Sequence, residues 1–206
     1  MTEVNTPFTG DADADRLLTE NAFALLTGML LDQQVPMEWA FRGPLELQRR
    51  IGPLDPATVA AMDPDAVLQA FLAKPALHRY PASMAKRVYE LASFVTERYD
   101  GKAEEIWTGA GTAAELLDRL RELPGYGPQK AQIFLAILGK RLGRAPAGWE
   151  EVAGAYGQPG HRSIADVDGP GAVDKVRAYK QEMKAQARAA KSGGPARAAK
   201  SGGTAK

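Results

Sequence analysis

Two glycines flank one aromatic residue in "RELPGYGPQKAQ", Arg121 to Gln132, between two stretches that read as helix. Gly125-Tyr126-Gly127 admits two readings. One is a helix C-cap glycine followed by a simple turn. Pro124, however, already breaks the first helix, and Gly127-Pro128 stands where the second begins. Glycines at both ends of such a turn can aim N–H groups outward at a helix N-terminus, a nest suited to an anion and above all to phosphate. Lys130 adds a positive charge in the first turn, where the helix dipole favours an acid. That departure from the local rule fits an anionic partner.

Several other chemistries are excluded by composition. The chain has no cysteine, so disulfides, zinc–thiolate sites and cysteine-held iron–sulfur clusters are ruled out. His78 and His161 are the only histidines and have no partner at metal-ligand spacing, so they are expected at the surface or in a cleft. The net charge of +1 hides an asymmetry. Lys184 to Lys206 holds six Lys/Arg and no acid, which leaves 20 bases against 25 acids elsewhere, a net of −5. A basic tail on an acidic body suits a polyanion and adds salt-sensitive, non-specific affinity for it, or else simply solubilises the end.

The elements that must position the turn are helices throughout. Asp11 or Asp13 caps a first segment carrying Leu17, Leu18, Phe23, Leu25, Leu26, Met29 and Leu30 at helical spacing. Pro36 opens a short helix with Met37, Trp39 and Phe41, and Asp55-Pro56 and Asp63-Pro64 each signal a further short one. Pro81 starts a longer helix through Val95. Thr112-x-x-Glu115 is a capping box leading into "LLDRLREL", and "AQIFLAIL" is apolar nearly all round, so it should be a buried central helix. The three tryptophans, Trp39, Trp107 and Trp149, are expected in the core or between lobes. No strand pattern appears. The chain therefore reads as all-α, a two-lobed helical bundle with a disordered basic C-terminal tail.

The expected divisions are a flexible N-terminus (1–11), a helical domain (12–144), an irregular segment with a final helix near 172–189 (145–189), and the tail with its repeated "ARAAKSGG" (190–206). No window is apolar enough to span a bilayer, and "MTEVNTPFTGDADADR" lacks the pattern of a secretory signal. The expectation is a cytoplasmic, nucleoid-associated monomer with no membrane partner.

"LPGYGPQKA" resembles the helix-hairpin-helix element of the HhH-GPD superfamily of DNA glycosylases, and two other segments match in order. "LLDQQVPMEWA" resembles the early family segment with paired glutamines, and "HRYPASMAKRVYELASF" a family helix start with Lys86 in place. The resemblance spans about Leu17 to Leu142, most of the folded body. It implies a cluster-free enzyme of base-excision repair whose partner is double-stranded DNA with a base lesion or mismatch. Such an enzyme bends the duplex and flips the target nucleotide into a pocket between two lobes.

Position by position, the resemblance implies that Pro124, Gly125, Tyr126 and Gly127 form the DNA-binding hairpin, with Lys130 as a neighbouring phosphate contact. It also implies a bridging monovalent cation, K+ or Na+, at the backbone of Gly125 and Gly127, and no other cofactor. Such contacts position the protein without reading sequence. Lys86 meets the DNA backbone, and Gln33 or Gln34 is the candidate wedge for the space left by the flipped base; a solvated helix end is the alternative for this pair. Bifunctional relatives carry a nucleophilic lysine two positions after the second glycine, where this chain has Gln129, so the activity implied is monofunctional, with water as nucleophile. The family's essential aspartate should fall about eighteen residues further on, at a helix N-cap, but that position is Ala147. Asp168 has the better local chemistry and Glu150 the better spacing, with Asp166 and Glu151 as alternatives. Two other readings stand beside the enzyme: a DNA-binding module without catalysis, and a helical protein-interaction domain in which the glycines only turn the chain.

Overall fold

The computed structural model describes residues 8–169 and 171–192, with side chains described to 189. Among these residues the chain is all-α, with eleven α-helices and no strand. None of the described helices is long and apolar enough to cross a membrane.

The first apolar segment is two helices, not one. Asp11 caps α1 (Ala12–Glu20) by accepting the N–H groups of Asp13 and Ala14 at 3.1 and 3.2 Å. Asn21 then breaks the helix in an extended conformation (φ −117°, ψ 108°) and caps α2 (Ala22–Leu31) by accepting the Ala24 N–H at 2.8 Å. Asparagine does this because its side-chain oxygen replaces a backbone acceptor. Every residue of α2 from Phe23 to Leu31 is buried, which makes it the central helix of the amino-terminal half. Residues 8–11 of the amino-terminal segment expected to be flexible are held to the fold, while 1–7 lie outside the described residues. Phe8 lies in the core, stacked on Phe41 at 5.8 Å, and the Phe8 and Thr9 N–H groups donate to the Asp15 carboxylate.

The helix opened by Pro36, α3 (Met37–Ile51), is longer than expected because it passes through Pro44. Its buried face of Met37, Ala40, Phe41, Pro44 and Leu47 lies on α1 and α2. α4 (Pro56–Ala61) and α5 (Pro64–Leu72) begin at the two Asp-Pro signals and pack on α6 (Pro81–Tyr99), which also touches α2. α7 (Glu105–Thr108) leads into α8 (Ala113–Glu122), where the Thr112 hydroxyl accepts the Glu115 N–H at 3.1 Å. α9 (Pro128–Lys140) is the second central helix, buried from Ile133 to Leu138.

The irregular segment folds onto α9. α10 (Trp149–Val152) lays the Trp149 ring over Gly139, where a Cβ would come within 2.2 Å of the indole. A 3-10 turn, Ile164–Asp166, packs on α9, and α11 (Ala172–Ser192) packs on that turn. Of the tryptophans, Trp107 is buried and Trp149 packs on the core, but Trp39 is 46% exposed, so it is not a core residue. Residues 190–192, expected in the tail, continue α11; 193–206 lie outside the described residues.

Candidate nucleic-acid interface

The hairpin is built from opposite treatments of its two glycines. Gly125 has φ +80°, and a Cβ there would lie 2.4 Å from Leu30 Cδ1. Its glycine is required by the left-handed backbone and by the close seat on α2. Gly127 is different. Its backbone is extended (φ −81°, ψ 173°), and nothing lies within 4 Å of where its Cβ would stand. The fold places no demand for glycine there, and the side-chain space above the α9 N-terminus is open.

Between them, Tyr126 points inward. Its ring meets Phe134 edge-on at 5.9 Å, its hydroxyl donates to the Leu26 carbonyl at 2.8 Å, and burial pushes its pKa well above the usual value. Tyr126 thus anchors the turn and offers only its backbone outward. The N–H groups of Gly125, Gly127, Gln129 and Lys130 donate to no described residue, whereas the Tyr126 N–H is used internally by Leu123 at 3.0 Å. Three of the four free donors stand at the start of a thirteen-residue helix, where its dipole adds partial positive charge. The Gly125 and Tyr126 carbonyls accept from no described residue, while the Gly127 carbonyl takes the Ala131 N–H at 3.1 Å. Neutral backbone oxygens of this kind fit a weakly held hard cation. Among the described residues no group of three His, Asp or Glu side chains could hold a metal ion.

Lys130 does not face outward beside the glycines. Its ammonium donates to the Met29 and Leu30 carbonyls at 2.7 and 2.6 Å, at the C-terminal end of α2, where a cation suits the helix dipole. Burial lowers its pKa to about 8, against the opposing pull of Asp32. Lys130 and Tyr126 together clamp the hairpin onto α2, so the Lys130 ammonium is turned away from the phosphate contact expected of it.

That clamp brings the glutamine pair to the hairpin. Gln33 accepts from Arg87 Nη1 at 2.9 Å and donates to the Leu30 carbonyl at 3.4 Å. Gln34 is exposed, sits at φ +56°, and accepts from the Tyr80 hydroxyl at 3.1 Å. A glutamine in the left-handed region is strained, so the backbone here is held by its surroundings. His78 is part of that hold and is buried rather than at the surface. The Tyr80 N–H donates to its Nδ1 at 3.0 Å, which leaves Nε2–H to donate to the Leu31 carbonyl at 3.1 Å, and burial lowers its pKa. Gln129 is exposed and donates to the Tyr156 hydroxyl at 2.7 Å. Lys86 is exposed and leans toward Glu90 at 3.7 Å, while Arg87, about 100° further round the helix, turns toward Gln33.

The four carboxylates expected to serve catalysis do not gather at the hairpin. Asp166 is buried and fully occupied: it pairs with Lys140 at 2.6 Å and accepts the Arg162 and Ser163 N–H groups at 2.8 and 3.0 Å. Asp168 is exposed, within electrostatic reach of Arg141. Arg141 caps the far end of α9, about 18 Å along the helix from Gln129 at 1.5 Å per residue. Glu150 and Glu151 are exposed on α10, and no hydrogen bond or ion pair ties their carboxylates to another described residue. The carboxylate the structure does bring to the hairpin is Asp32, with its side chain 13% exposed and 3.9 Å from Lys180 of α11. Asp32 and Arg87 were visible in "LLDQQVP" and "MAKRVYE", but nothing in the spacing marked them. Their roles arise from contacts made across more than fifty residues of chain.

No family model, curated protein or solved structure matches the chain.

Proposed function

We propose that the protein is a monofunctional DNA N-glycosylase of base-excision repair. In this reading it is a two-lobed helical enzyme that grips duplex DNA with its helix-hairpin-helix turn and hydrolyses the N-glycosidic bond of a damaged or mispaired base, leaving an abasic site. The observation that carries the reading is Gly127: a glycine the backbone does not require, open to solvent, beside unpartnered amides at a helix N-terminus. Phosphate oxygens suit those amides, and a monovalent cation held by the Gly125 and Tyr126 carbonyls would add charge against the same phosphate. Gln129 stands where a nucleophilic lysine would lie, and an amide cannot form a Schiff base, which leaves water as the nucleophile.

One observation favours a second reading, a DNA-binding module without catalysis: Asp168 lies near Arg141 at the far end of α9, and Glu150 follows Trp149, whose ring lies over Gly139 near that same end. The two readings separate in one experiment. The protein is titrated onto an abasic-site duplex by fluorescence anisotropy across a salt series, then incubated with duplexes carrying alkylated, deaminated, oxidised and mismatched bases and treated with alkali. The enzyme reading expects affinity that falls steeply with salt and alkali-dependent strand breaks at one class of base. Binding without base release from any duplex supports the module. An absence of binding at low salt refutes both.

A further inference from the structure

Asp32 is an acid in an electrostatically poor position. It follows the last residue of α2, where the helix dipole presents negative charge and favours a cation. It is the C-cap residue of α2 and its backbone N–H donates to the Gly28 carbonyl at 3.2 Å, but no described residue donates a hydrogen bond to its carboxylate. Side chains in contact with solvent have little at stake in such a place, but Asp32 is only 13% exposed. Two lysines offset the cost: Lys130 beneath it, clamped to the Met29 and Leu30 carbonyls, and Lys180 of α11 at 3.9 Å. A covered carboxylate without hydrogen bonds that has gathered lysines from two distant helices is a feature local folding does not explain.

Its surroundings supply the explanation. The hairpin rests on Met29 and Leu30, through the close approach of Gly125 to Leu30 and the two Lys130 bonds to their carbonyls. Asp32 is two residues past that contact and directly precedes Gln33, which Arg87 holds in place. Asp32 therefore sits at the foot of the phosphate cradle and beside the wedge candidates, with part of its side chain still open to solvent. Asp166, Asp168, Glu150 and Glu151 share none of this.

We infer that Asp32 is the catalytic carboxylate of the glycosylase reaction, an inference that rests on the function proposed above. As the base departs, the C1′–N bond breaks and its electron pair leaves with the base nitrogen. The carboxylate faces the positive charge that develops on the sugar. A water oxygen bonds to C1′, its proton passes to Asp32 and from there to solvent, and the departing base takes a proton from solvent water. Lys130 and Lys180 act as positioning residues that hold the carboxylate in place.

The test needs no knowledge of the lesion. Duplexes carrying either a cationic pyrrolidine abasic analogue or its neutral tetrahydrofuran counterpart are titrated with the full chain, and the ratio of the two affinities is the readout. A carboxylate facing the sugar makes the wild type prefer the cationic duplex by about ten- to hundredfold, as a transition-state mimic should be preferred. Asp32→Asn is expected to bring the ratio to near one, while Asp168→Asn and Glu150→Gln keep it. A folding defect lowers both affinities together and leaves the ratio readable. Retention of the preference in Asp32→Asn, or its loss in Asp168→Asn or Glu150→Gln, overturns the assignment to Asp32 alone. Equal binding of both duplexes by the wild type overturns the catalytic carboxylate and leaves the DNA grip standing. Binding of neither overturns the functional reading and the inference with it.

Discussion

The two glycines of the hairpin should respond oppositely to alanine. At Gly127 the backbone is one any residue adopts, and no atom lies within 4 Å of the new methyl. Replacing an N-cap glycine by alanine costs about 0.5–1 kcal/mol. The stiffer unfolded chain returns roughly 0.4–1 kcal/mol. The two nearly cancel, so the melting temperature of Gly127→Ala should stay within about 2 °C of the wild type. Its methyl nevertheless fills the space over the free amides. Charge-assisted hydrogen bonds of the kind a phosphate would make there contribute about 1.5–3 kcal/mol, so duplex affinity should fall about ten- to hundredfold. At Gly125 the methyl meets Leu30 Cδ1 at 2.4 Å on a backbone at φ +80°. The left-handed conformation costs about 1–2 kcal/mol. The overlap adds about 1–3 kcal/mol, less whatever Leu30 relieves by changing rotamer. A net loss of roughly 2–4 kcal/mol lowers the melting temperature by about 5–15 °C. Circular dichroism melts and anisotropy titrations on both variants decide the matter. If Gly127→Ala binds duplex DNA as well as the wild type, the open space above α9 is not a binding surface and the reasoning from it fails.

Two further outcomes follow from the buried charges. Lys130 has a native pKa of about 8 against an ordinary 10.5, so between these values the unfolded chain holds a proton that the native protein has released. Stability from this group must therefore rise with pH across that window, by about 2–3 kcal/mol in all. Urea unfolding of wild type and Lys130→Met between pH 7 and 10.5 should show their stability difference moving by that amount, and a constant difference would contradict the burial of the ammonium. Asp166→Asn breaks a pair with Lys140 in which the acid is nearly sealed and also weakens two backbone contacts. It should cost about 2–4 kcal/mol in chemical denaturation while leaving the preference for a cationic abasic analogue intact in the folded fraction.

Much of the helical order was legible in the sequence because its signals are local. Asp55-Pro56, Asp63-Pro64, Pro81 and Thr112 each start a helix where their chemistry says one should start, and "AQIFLAIL" is buried as its all-round apolarity requires. The break at Asn21 and the passage of α3 through Pro44 were harder to see. In both, a local preference was decided by the packing available on either side. Histidine spacing was a poor guide to His78, which is buried between Leu31 and Tyr80.

By itself the sequence determined the all-α class, the turn between α8 and α9, and the absence of thiol chemistry, since each depends on residue type and near neighbours alone. The tertiary structure decided the direction of side chains. It turned Lys130 inward to the end of α2, put Tyr126 in the core, placed Asp168 at the far end of α9 and brought Asp32 to the hairpin. The physical reason is that these outcomes depend on which helix covers which. Lys130 and Met29 are 101 residues apart in the chain and 2.7 Å apart in space, and no periodicity encodes that meeting.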